Sequence, residues 1–124
     1  KTDIQPAPVP PPPYLTGKKW TLDTITINPP ATYASLTDEE KFDYNATLGW
    51  FTNAELFFNA DGTMRCGGDW DFGYQQWQLA NSGADIKVTP AAGDDTMRAW
   101  VANSSSFTYV SLVGGTVRCT FIYK

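Results

Sequence analysis

The chain has 124 residues, a net charge of −4, 42% hydrophobic and 15% aromatic residues, and no histidine. That length fits one domain with enough apolar side chains for a core. Its few basic residues are scattered rather than striped, which argues against nucleic acid as a partner, and no run of 18 apolar residues marks a membrane-spanning helix.

Residues 1–13 form a unit of their own. Six of these positions are proline, which favours extended polyproline II and a semi-rigid spacer. The segment reads either as a tether holding the domain away from an anchor or neighbour, or as a disordered chain end; no basic residue flanks the proline run, so it is a poor SH3-type ligand. The chain starts at Lys1, as a mature or trimmed form would, and any membrane contact is expected through a removed or unseen anchor.

Residues 14–124 are expected to form the domain. Strand pattern begins at Lys18. Trp20 and Leu22 share one face, whereas Ile25 and Ile27 take the opposite parity, so a bulge or sharp bend is predicted between Leu22 and Ile25. Asn28-Pro29-Pro30 ends the strand. Thr37-Asp38-Glu39-Glu40 reads as a capping box with acidic residues in the first turn, predicting a helix over 38–46 inside the 31–50 insertion. Leu36, Phe42 and Leu48 are its expected apolar contacts, and it would lie across an open end of the fold as a lid or a fixed plug.

From residue 54 the chain becomes a series of short alternating runs, at 54–59, 63–66, 74–80, 85–89, 96–102, 107–113 and 116–123. Between them fall Asn-Ala-Asp-Gly (59–62), Asn-Ser-Gly-Ala (81–84), Ala-Gly-Asp-Asp (92–95), Asn-Ser-Ser-Ser (103–106) and Gly-Gly (114–115). Loops this short pair neighbouring strands as antiparallel hairpins, and a long meander closes on itself to remove its edges. The predicted fold is all-β, an up-and-down antiparallel meander closing into a roughly eight-stranded barrel with one short helix. Phe57, Trp77 and Val88, with Met97 or Trp100 according to register, are the side chains expected to fill its narrow interior.

Two cysteines, Cys66 and Cys119, fall in the third and last strands. They read either as a disulfide, which would stabilise the fold by about 4 kcal/mol on the chain-entropy model, or as two buried thiols. Without histidine they cannot build an ordinary zinc site.

The order of these signals resembles the lipocalin-like domains (calycin-type small β-barrels) of Bacteroidetes envelope proteins. The residues that carry the likeness are Leu15-Thr16-Gly17-Lys18-Lys19-Trp20-Thr21-Leu22, then residues 54–63 around Phe57-Phe58-Asn59-Ala60-Asp61-Gly62, then Trp77-Gln78-Leu79-Ala80-Asn81-Ser82-Gly83-Ala84-Asp85-Ile86. Two lysines separate Gly17 from Trp20 where lipocalins have one residue, which alters the parity of the tryptophan. The resemblance covers about residues 14–124. It implies an up-and-down barrel and an exported protein, often a lipoprotein, in the periplasm or at the outer membrane, and it implies no particular ligand.

Catalysis is not expected. With no histidine there is no Ser–His or Cys–His couple, and no cofactor or metal is called for. The segment 67–74 is the best contact surface: three glycines, with Trp70, Phe72 and Tyr74 beside Asp69 and Asp71. Aromatic planes next to carboxylates suit sugars, the ring covering C–H faces while the acids accept hydroxyl hydrogen bonds. The alternative is that Trp70 and Phe72 fold back to plug the barrel, and that the acids are solvated turn residues or a weak calcium site. Trp100 is grouped with this set as a ligand-contact candidate. Arg65, Arg98 and Arg118 are expected to face solvent if the cysteines face inward, with Arg118 lying over Trp20 as a cation–π contact; the opposite parity would carry arginines into the barrel, where they could receive a carboxylate.

The expected function is a non-enzymatic binding or accessory module taking a small hydrophobic or sugar ligand. The alternative is an interaction subunit that docks onto an envelope protein partner through its proline-rich arm and aromatic loop.

Overall fold

A computed structural model describes residues 14–91 and 93–124. The proposed tether at 1–13 lies outside the described residues, as does Ala92 in the 92–95 turn. Eight strands, β1 (Lys19–Ile27), β2 (Glu55–Phe58), β3 (Thr63–Gly67), β4 (Tyr74–Ala80), β5 (Asp85–Thr89), β6 (Thr96–Ala102), β7 (Phe107–Val113) and β8 (Val117–Tyr123), pair in sequence order. β8 then returns to β1, so the sheet is a closed antiparallel barrel. The predicted fold class is the observed one.

Strand parity decides what faces inward. Leu56 and Phe58 are buried while Phe57 is exposed, which corrects the expectation that Phe57 fills the interior. The run Leu56-Phe57-Phe58 is apolar throughout and does not reveal its own phase; the partners set it. Leu56 sits opposite Trp20 and Cys66, whereas Phe57 sits opposite Lys19 and Arg65 on the outer wall. Trp77, Val88 and Met97 point inward as expected. The register of β1 against β8 slips between Leu22 and Thr24, which is the predicted bulge, and it lets both Trp20 and Ile25 reach the core.

One end of the barrel is sealed by aromatics. Trp20, Phe58, Phe107 and Tyr123 are fully buried there, with Phe107 5.8 Å from Trp20 and 5.5 Å from Phe58 between ring centroids. Trp20 Nε1 donates to Leu15 O at 3.1 Å, so the extra lysine before it does not turn it outward. Lys18, rather than Arg118, provides the cation over its ring, with Nζ 4.3 Å from the centroid. Arg118 is exposed, because Val117, Cys119, Phe121 and Tyr123 take the inward positions of β8.

Helix α1 (Asp38–Trp50) starts at the predicted capping box: Glu40 N–H donates to Thr37 Oγ1 while Thr37 N–H donates to Glu40 Oε1. It runs past the expected end at residue 46, and its contacts differ from those expected. Leu36 is buried, but Phe42 is 72% exposed and Leu48 is also exposed. The helix is held instead by Tyr44, whose hydroxyl donates to Ile25 O at 2.9 Å, and by Phe51, edge-on to Phe121 at 5.2 Å. Asp43 abuts Gly114 in the β7–β8 turn, where a β-carbon would collide with its carboxyl group.

Candidate functional site

The end of the barrel opposite the aromatic seal is formed by α1, the 67–74 loop, the segment between β5 and β6, and the β7–β8 turn. Within this mouth lies a cavity of about 130 Å³. Its wall is apolar, with Leu56, Met64, Val88, Met97 and Phe121 from the strands, while Phe51 and Phe72 close it from above. A cavity of roughly 150 Å³ with such a lining can hold benzene, so this one matches a single small ring or a short chain.

Thr47, Thr96 and Ser111 also contribute to the lining, and three further polar residues stand out in it. Gln75 is buried on β4, in phase with Trp77, and its Nε2 donates to Pro90 O at 2.8 Å. Its Oε1 accepts no hydrogen bond from the described residues. Tyr109 shares a 3.1 Å hydrogen bond with Tyr123, so one hydroxyl proton of the pair is left over. Tyr109 lines the cavity and Tyr123 does not. Burial pushes both phenols well above their usual range, so they stay protonated.

Asp94 is the third. Its carboxylate accepts from Arg98, from Ser111 Oγ at 3.0 Å and from the Leu112 amide at 2.8 Å. Burial acts to raise its pKa, but these hydrogen bonds and one from the Thr96 amide outweigh it and hold the carboxyl below the ordinary value. Arg98 thus neutralises the one charged side chain that the described residues contribute to the lining.

Cys66 also lines the cavity, and burial, with the nearby Asp71 charge, pushes its thiol up to about 12. Burial takes Cys119 to about 11. Both are free thiols, which corrects the disulfide reading in favour of the buried pair. The reason is topological: β3 and β8 are separated by β2 and β1, roughly 14 Å along the wall at the usual strand spacing, beyond the reach of a disulfide.

The 67–74 segment is docked outside the mouth. Asp69 N–H donates to Thr52 O at 3.0 Å, and Asn53 Nδ2 donates to Asp69 Oδ1 at 3.0 Å. Trp70 does not plug the barrel; it is 56% exposed and stacks on Trp50 at 4.9 Å and 29°. Phe72 lies on the other side, 6.4 Å from Trp50 and 5.4 Å from Phe51. Asp71 is engaged by Arg65 at 2.6 Å and by the Gly73 amide at 2.8 Å, and Arg65 lies 5.0 Å over the exposed ring of Tyr74. Asp69 and Asp71 therefore each have their own partners and do not converge on one point.

Of the ligand-contact candidates singled out in the sequence, only Phe72 lines the cavity. Asp69, Trp70, Asp71 and Tyr74 form the outer rim, and Trp100 lies at the sealed end, 6.5 Å from Phe107, with Nε1 donating to Gly83 O. Sequence reasoning missed Gln75, Asp94, Tyr109 and Trp50. Gln75 had a readable signal, since it is a polar residue on the apolar parity of β4; Trp50 had none, because it lies beyond the predicted helix end.

No protein-family model matches the chain, and no curated protein matches it. Among solved structures it is similar to a crystal structure of a DUF4847 family protein from Bacteroides vulgatus ATCC 8482, with a TM-score of 0.48 and 13% identity over 86% of this chain and 92% of that one.

Proposed function

We propose that this chain is a non-enzymatic, lipocalin-like binding module of the cell envelope, exported from the cytoplasm, that holds a small, uncharged and largely apolar molecule in the cavity at the barrel mouth. The observation that carries the reading is the cavity's make-up: a largely apolar chamber of about 130 Å³ with Gln75, whose Oε1 accepts no hydrogen bond from the described residues, and Tyr109 in its lining. That pair suits a single hydroxyl or carbonyl group on a compact hydrocarbon body. A charged ligand is disfavoured because Asp94 is already neutralised by Arg98, and an unpaired charge in such a site is costly. The same chemistry speaks against catalysis. The Cys66 thiol is protonated at neutral pH and so a poor nucleophile, and the Asp94 carboxylate is fully engaged by donors.

Native mass spectrometry of the protein purified from its own host tests the proposal. A retained species of low mass, absent from a Val88→Phe variant whose larger ring fills the chamber, is the expected result. A bare polypeptide mass, or a retained polypeptide partner in place of a small molecule, would overturn it, the latter in favour of an interaction subunit.

A further inference from the structure

A second site is built on the outside of the mouth, separate from the cavity. Trp70 and Phe72 each stack on Trp50, with Phe72 half-buried against Phe51 and Trp70 the most exposed of the three rings. The rings form a stack running outward from the barrel, and Trp70 is its outermost member. One indole face is covered by Trp50, and 56% of the residue remains exposed.

The indole is also held in place. Gly68 fits so closely against Thr52 and Asn53 that a β-carbon there would lie 2.7 Å from both carbonyl oxygens, and the Asp69 amide is bonded to that same turn. Next to Trp70 in the chain is Asp69, whose Oδ1 takes the Asn53 amide while Oδ2 receives no hydrogen bond from the described residues. A backbone-anchored, exposed indole whose chain neighbour is a carboxylate with spare acceptor capacity is an apolar plane with a polar group close by in the loop.

We infer that this face binds a saccharide, with the flat C–H face of a gluco-configured pyranose on Trp70 and its hydroxyls donating to Asp69. Pre-organisation of the ring lowers the ordering cost that otherwise weakens such contacts. A protein partner fits less well, since a stable interface needs about 800 Å² per side and a core depleted of acidic residues.

The test is titration of the full chain with cellohexaose, chitohexaose and maltohexaose, followed by tryptophan emission and calorimetry. Trp20 and Trp77 are buried in the barrel and Trp100 is half-buried at its sealed end, so an emission change that is lost in Trp70→Ala reports on the rim. The expected result is saturable binding of at least one hexasaccharide with a Kd below about 1 mM. Trp70→Ala is expected to weaken it at least about tenfold and Asp69→Asn about threefold, while the urea midpoint of Trp70→Ala stays near that of the parent. Binding should persist in Val88→Phe, which separates this site from the cavity. No response to any of the three sugars in a folded protein, binding that survives Trp70→Ala, or a concentration-dependent dimer that Trp70→Ala abolishes would each overturn the inference.

Discussion

Replacing Gly68 by alanine adds one methyl group at the place where the aromatic loop meets the end of the helix. The new carbon would lie 2.7 Å from Thr52 O and 2.7 Å from Asn53 O, with the Asn53 carbonyl carbon at 2.8 Å. All three are backbone atoms, so no side chain can swing aside, and the loop must lift away. Lifting breaks the 3.0 Å bond from the Asp69 amide to Thr52 O, worth about 1 kcal/mol, and adds the usual cost of overpacking, about 1–3 kcal/mol. The expected loss is therefore about 2–3 kcal/mol, read as a lower urea midpoint with unchanged slope. Gly67→Ala is the control. Its β-carbon would meet only Asp71 Oδ1 at 3.8 Å, an ordinary contact, so stability should stay within about 1 kcal/mol. Equal midpoints for Gly68→Ala and the parent would refute the view that the loop is clamped to the helix turn.

Trp20→Ala removes a fully buried indole and its bond to Leu15 O; a loss of about 3–5 kcal/mol is expected in urea unfolding, and an unchanged midpoint would contradict its central place in the barrel seal. The Asp94 carboxyl is held lower in the folded chain than in the unfolded one, so its contribution is present above about pH 4 and fades as pH falls through the folded value. Asp94→Asn should cost about 2 kcal/mol of stability at pH 7 and flatten the acid limb; an acid limb identical to the parent's would count against the Asp94–Arg98 linkage. In alkali the sign reverses: Cys66, Tyr109 and Tyr123 have raised values when folded, so the unfolded chain ionises first and stability should fall above about pH 9. Tyr123→Phe should shift that fall to higher pH in a pH-dependent melting series, and an unmoved alkaline limb would refute the assignment.

Local signals in the sequence were legible wherever neighbours in the chain decide the structure. The capping box at Thr37 sets the first residue of α1, and the parity slip after Leu22 marks the bulge, because each is a property of a few consecutive residues. The last residue of the helix was not legible. The expected end lies at residue 46, yet the helix continues to Trp50, and Phe51 beyond it docks on Phe121 across the mouth. The buried face of α1 was hidden for a related reason: its apolar residues are spread around the helix, so burial falls to Tyr44 rather than Phe42 through a bond to β1. The disulfide question depended on sheet order, which separates Cys66 and Cys119 by two intervening strands. The rim aromatics were legible as a group, but the stacking of Trp70 on Trp50 joins residues from the helix and a hairpin loop, a pairing that exists only once the barrel has closed.

The chain contains two methionines, Met64 and Met97, and both line the cavity. Methyl-labelled methionine therefore gives a spectrum with one resonance on each of two facing walls of the proposed binding chamber. Titration of the full chain with phenol and with benzyl alcohol, each a single ring bearing one hydroxyl, tests the binding proposal most directly. Both methyl resonances are expected to move together and saturate, and the movement is expected to be lost in Val88→Phe. Resonances that stay fixed with both compounds, or that move without saturation and equally in Val88→Phe, would contradict a ligand chamber inside this barrel.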